Sequence, residues 1–147
     1  MSDLKNHLLI QQYVEWNEYG RLLGMDFSIL EAGKIQYRMP IQSVHLATPF
    51  AAHGGSVASL MDAALGVAAL SAVVESMRIV STVTMNMQFV RPALNNDVLQ
   101  ANAEVIKQGK SLIFVEATIL NQFGKTVATG TAVMNAYPVE KADYSEK

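Results

Sequence analysis

The sequence predicts an α+β fold in which an antiparallel sheet curls around one long, almost wholly apolar helix. Three observations carry this expectation. Ser56 to Val74 contains no proline and one charge, Asp62, and its Val57, Leu60, Met61, Leu65, Val67 and Leu70 point in several directions around a helix, so most of its circumference must be covered. Downstream, the apolar period changes to the two-residue repeat of strands. The turns between these strand candidates are short, which suits antiparallel neighbours.

With 147 residues, 50% of them hydrophobic, the chain has the size of one domain with a sizeable core. A single domain over residues 1–147, with its core at about residues 20–137, is expected. The sequence has no cysteine, which removes thiolate nucleophiles and disulfide frameworks and fits a reducing, cytoplasmic compartment. A net charge of −2 without a long basic run argues against nucleic-acid and membrane-surface partners. Residues 1–20 interleave charges with apolar side chains and lack the uninterrupted apolar region of a signal peptide; they are expected to stay in the mature protein. Ser56 to Val74 reaches the transmembrane threshold of about 18 residues, but it is rich in Ala, Gly and Ser, and Asp62 at its middle would be costly in lipid.

Taken in order, Leu4 to Leu23 places Leu8, Leu9, Tyr13, Trp16 and Leu22 or Leu23 on one stripe of an amphipathic helix, an extra N-terminal element that ends near Gly20 and Gly24. Met25 to Leu30 and the alternating Ile35, Tyr37 and Met39 form a hairpin around Ala32 and Gly33. Ser43 to Ala52, with Pro49, reads as a loop. His53 opens the long helix, whose Ala and Leu content supports about five turns. Val83, Met85, Met87 and Phe89 alternate with Thr82, Thr84, Asn86 and Gln88 as a strand with one buried face. Val98 to Lys107, Ser111 to Asn121 and Lys125 to Tyr137 are further strands, joined as an antiparallel meander. The charged tail after Pro138 is expected to fray.

Pro49-Phe50-Ala51-Ala52-His53-Gly54-Gly55, followed by Leu60, Asp62 and Gly66, closely resembles the helix start of the PaaI-like family of hotdog-fold acyl-CoA thioesterases. Val80-Ser81-Thr82, Met85-Asn86, Phe89-Val90-Arg91-Pro92, Gly109-Lys110 and Gly130 continue in family-like order. The resemblance covers roughly residues 20–137. It implies the hotdog fold and hydrolysis of acyl- or aryl-coenzyme A, with no cofactor. It also implies a homodimer, or a dimer of dimers, in which the Asp and the oxyanion Gly come from different subunits.

The residues themselves point to a compatible chemistry. Gly55 and Asp62 are separated by almost two helical turns, so they share a face with Ser59 between them and Gly66 one turn beyond. That face is small-residued around a single carboxylate. The first amides of a helix lack intrahelical partners and sit at the positive end of its dipole, and Gly54 and Gly55 allow close approach. Gly55 N–H is thus a candidate oxyanion donor, and Asp62 a general base on water or a direct nucleophile. Asp62 has a bland alternative as a buried, hydrogen-bonded carboxylate. His53 either orients the substrate carbonyl or caps the helix.

By resemblance, Thr82 supplies a hydroxyl that positions water or Asp62. Ala47 stands where some relatives carry an Asn, with Thr48 and His45 nearby, a departure that weakens the case for a second oxyanion donor and for a particular substrate. Arg91 and Lys110 are either candidates for the phosphates of coenzyme A or ordinary solvated charges. Gly109-Lys110-Ser111 is not the end of a phosphate-binding loop, because Glu104 stands where such a loop needs Gly. No serine-hydrolase elbow is present, and His7, His45 and His53 lack metal-ligand spacing. The rival reading is a hotdog protein that binds acyl-CoA without turning it over, which would not need a carboxylate facing the helix-start amides.

Overall fold

A computed structural model describes residues 3–142. Its centre is α1 (Gly54–Val73), on which a six-stranded antiparallel sheet is folded. In chain order the strands are β1 (Asp26–Glu31), β2 (Lys34–Pro40), β3 (Arg78–Phe89), β4 (Val98–Gln108), β5 (Leu112–Leu120) and β6 (Thr126–Pro138). They lie side by side as β1-β2-β4-β5-β6-β3. This is the hotdog fold. The meander holds for β4, β5 and β6, whereas β3 crosses to the far edge and pairs with β6 rather than β4.

The helix is wrapped because its side chains are. Leu60, Met61, Ala64 and Leu65 are fully buried along with Val67, Ala68, Ala69 and Val73, each large side chain contributing roughly 1.5–3 kcal/mol of burial. The segment is apolar and long enough to cross a bilayer, yet 67% of its apolar window is buried inside the protein, as in a core helix. Facing it, the sheet presents Ala101, Ala103, Ala117, Ala128 and Ala132, all buried. Small residues there let helix and sheet approach closely. Gly130 is the extreme case: a Cβ on it would come within 2.8 Å of Met61 Sδ and 3.2 Å of the Asn86 carbonyl oxygen. The β1–β2 turn uses Gly33 at φ +82 and is tied to the helix by Gly33 N–H, which donates to Ser71 Oγ at 2.9 Å.

The N-terminal stripe is not one helix. It forms a 3₁₀ turn (Leu4–Asn6), α2 (Leu8–Trp16) and α3 (Glu18–Leu22). His7 and Asn17 interrupt it because each turns its side chain back to cap the helix that follows, accepting from Leu9 N–H and Gly20 N–H. Leu9 and Ile10 pack with Leu4, Leu70 and Val74, while Leu8, Trp16 and Leu22 from the expected stripe stay exposed. The loop before α1 contains a 3₁₀ turn at Ser43–His45. After Pro138 the chain forms a 3₁₀ turn, Val139–Ala142; the rest of the tail expected to fray lies outside the described residues.

The simple alternation expected for β3 fails. The register with β6 slips between Thr82 and Thr84, leaving Val83 as a bulge. Met85 pairs with buried Ala132 and lies on the helix side, but upstream Thr82 pairs with buried Met134 and also faces the helix. Val83 is exposed rather than buried. One extra residue therefore reverses which side chains point inward.

Candidate active site

His53 begins the site by capping α1. Its Nδ1 accepts the Gly55 N–H at 2.7 Å, so the ring proton is on Nε2 if the ring is neutral. Gly55 suits this arrangement, because a Cβ there would meet Nδ1 at 2.9 Å. Of the two roles expected for His53, the capping one is the geometry observed. The cap is anchored further: His53 N–H donates to the His45 carbonyl at 2.7 Å, and the Ser56 hydroxyl points between two carbonyls, that of His53 at 2.7 Å and that of His45 at 3.1 Å. His45 is buried, takes the Gln42 N–H on Nδ1 at 2.9 Å and reaches the Leu23 carbonyl with Nε2 at 2.7 Å. It links the end of α3 to the start of α1.

Almost two turns along, Asp62 lies on the exposed side of α1 within the single chain. Thr82 Oγ1 donates to Asp62 Oδ1 at 2.8 Å. The bulge at Val83 makes this contact possible by turning Thr82 to the helix side. Asp62 borders two cavities. One, of about 570 Å³, is bounded by Leu9, Trp16, Gly66, Leu70 and Val80. The other, of about 450 Å³, is bounded by Gly55, Ser59, Tyr19 and Met85. Tyr13 and Ala63 line both. The carboxylate and the helix-start glycine thus open onto one cavity within a single chain.

The remaining candidates separate. Ser59 borders the same cavity, but Tyr19 donates to its Oγ (2.6 Å) while Ser59 donates to the Gly55 carbonyl (2.8 Å). Gly54 faces a different cavity, of about 290 Å³, beside Phe89, Arg91 and Pro92. Its N–H has no partner among the described residues. Arg91 donates from Nη1 to the Thr126 carbonyl at 2.7 Å. Lys110 is not brought to Asp62: it sits in the β4–β5 turn, where its carbonyl accepts from Arg78 at the start of β3, whereas Arg91 lies beyond the end of that strand.

A cluster of three polar residues, two of which, Tyr13 and Asn17, line a cavity beside Asp62, was not singled out by sequence. Tyr13 and Tyr37 join their hydroxyls at 3.0 Å, and Asn17 Nδ2 reaches both. Burial raises both phenols above their ordinary value, most strongly Tyr37; the Asp62 charge adds to the rise at Tyr13, partly offset by the bond to Tyr37. In the sequence these tyrosines belong to apolar stripes, and nothing in the pattern separates a phenol that only packs from one that reaches a site.

The match to the thioesterase family model spans residues 51–128, more than half of the chain. The chain belongs to the Thioesterase superfamily. Among its relatives, the Escherichia coli acyl-coenzyme A thioesterase PaaI is 32% identical over 108 residues, covering 74% of each chain. Human acyl-coenzyme A thioesterase 13 is 28% identical over 124 residues, 83% of this chain and 87% of the relative. The solved structure of E. coli PaaI superposes with a TM-score of 0.80 at 27% identity, covering 86% of this chain and 89% of PaaI. This superfamily member is a thioester hydrolase of the PaaI-like hotdog type.

Proposed function

We propose that the protein hydrolyses acyl-coenzyme A thioesters with Asp62 as general base, and that the observation carrying this is a Thr82-held carboxylate at the mouth of an apolar cavity. Acyl-coenzyme A as the substrate is supported by the names of its relatives in E. coli and human. Thr82 engages Oδ1, so Oδ2 is left to take a proton from water. The water oxygen attacks the thioester carbon as Asp62 accepts that proton, giving a tetrahedral oxyanion. Collapse breaks the C–S bond, and the proton passes from Asp62 to the departing thiolate, yielding the free acid and coenzyme A.

The Gly55 N–H serves as an oxyanion donor in this reading. Its hydrogen is directed at His53 Nδ1, so it reaches a substrate oxygen by sharing that bond or by the ring turning aside. Such a donor is typically worth on the order of 3 kcal/mol of barrier. The reading includes a homodimer in which a partner's helix start faces Asp62. It is supported by β3, a 12-residue strand at the sheet edge, whose unpaired side is a template for a second strand.

The test is release of free coenzyme A from short, medium, long and aryl acyl thioesters by the purified protein, with Asp62→Asn and Asp62→Ala alongside. Both variants should lose about 100-fold or more in kcat. Undiminished turnover in both would overturn the role of Asp62.

A further inference from the structure

The Tyr13, Tyr37 and Asn17 cluster has a defined direction. Asn17 Oδ1 accepts the Gly20 N–H at 3.0 Å as the cap of α3, so its amide nitrogen faces the phenols and donates, at 3.1 Å to Tyr13 and 3.4 Å to Tyr37. Each phenol has one proton. Tyr37 is 1% exposed, and among the described residues its hydroxyl meets no acceptor but the Tyr13 oxygen. It therefore donates to Tyr13. The Tyr13 oxygen then receives two donors while its own proton remains available, and Tyr13 lines both cavities that Asp62 borders.

We infer that the Tyr13 hydroxyl donates to the carbonyl oxygen of the thioester bound beside Asp62, an assignment that rests on the reaction proposed above. Hydrolysis needs a base for water and a donor for the carbonyl oxygen, facing a common space. Asp62 and Tyr13 border the same two cavities, and neither is hydrogen-bonded to the other. The Gly55 amide is already engaged by His53, so an additional donor meets a real need. Two incoming hydrogen bonds polarise the Tyr13 O–H and make it a better donor. Burial and the nearby carboxylate keep the phenol protonated, as this role requires. The N-terminal helix α2 thereby supplies a catalytic residue as well as packing.

Tyr13→Phe tests this while keeping the ring and its tilted contact with Phe27, at a centroid distance of 5.8 Å. Its kcat should fall about 10–100-fold, with KM within about threefold of wild type, as expected when the lost bond acts mainly in the transition state. An unchanged kcat, or a loss confined to KM, overturns the inference. Tyr37→Phe removes the donor that orients Tyr13 but leaves the Tyr13 hydroxyl; its kcat should fall by about 2–5-fold. If Tyr13→Phe does not fold, Tyr37→Phe decides, and an unchanged kcat there overturns the inference. Asp62→Asn in the same assay separates the two claims. Wild-type turnover by Asp62→Asn defeats the proposed reaction, whereas an inactive Asp62→Asn beside a fully active Tyr13→Phe defeats only the role of Tyr13.

Discussion

Thr82→Val removes one hydroxyl and keeps the branched shape that a strand accommodates. The bond lost is the 2.8 Å donation to Asp62 Oδ1. A hydrogen bond to a charged group contributes about 1.5–3 kcal/mol. Asp62 is exposed, so water can replace the donor, and the lower limit of about 1.5 kcal/mol is appropriate. At about 1.4 kcal/mol per factor of ten, kcat should fall about tenfold. Because the lost contact orients the base rather than holding substrate, KM should change little, while the melting temperature should fall by no more than about 3–6 °C, the equivalent of the same about 1.5 kcal/mol. Thr82→Ser restores a donor at the same position and should recover most of the rate. The assay follows the freed coenzyme A thiol, with thermal unfolding measured on the same samples. A Val variant turning over at the wild-type rate, or a Ser variant as slow as the Val one, refutes the claim that this bond serves catalysis.

Gly66 lies inside α1 and lines the larger Asp62 cavity, and a Cβ there would meet nothing within 4 Å. Gly66→Ala should therefore stabilise by about 0.8–1 kcal/mol and raise the melting temperature by about 2–4 °C; the same methyl should lower kcat/KM for long acyl chains relative to short ones. Gly130→Ala should destabilise by about 1–3 kcal/mol in denaturant unfolding, since its Cβ would press on Met61 and on the Asn86 backbone. Burial holds the Tyr37 and Tyr13 phenols above their ordinary value of 10.0, so the folded protein retains protons that the unfolded chain releases. The resulting stability is fully present below about pH 10 and is lost as pH rises beyond it. Tyr37→Phe should flatten this alkaline decline, and equal losses of melting temperature in wild type and variant between about pH 9 and pH 11 would contradict the burial argument.

The wrapped helix was legible because hydrophobicity all round a helix has few physical outcomes, and Asp62 stood out as the single charge within it. The glycines before it marked the helix start for a similar reason: few residues allow such close approach. What sequence did not convey depends on register and on individual hydrogen bonds. Val83 looks like one more inward apolar residue of an alternating strand, and only its pairing with β6 identifies it as a bulge. The breaks at His7 and Asn17 come from local capping, which competes with the helical stripe without altering its spacing. Arg91 and Lys110 are both basic and near family-like motifs, yet they belong to opposite ends of β3. The tyrosine pair is formed by residues 24 apart, a coincidence of tertiary packing with no short-range signature.

The extra residue in β3 divides one strand into two halves of opposite phase. Beyond it, Met85 and Met87 pack against the core; changes at Met87 should act chiefly on stability, whereas Met85 also borders the smaller cavity beside Asp62. Before it, Val80, Ser81 and Thr82 border the larger cavity, and changes there should alter turnover. Shortening the strand by one residue at Val83 would force a choice: pairing with β6 could keep the methionines inside or keep Thr82 against the carboxylate, but a flush ladder could not do both.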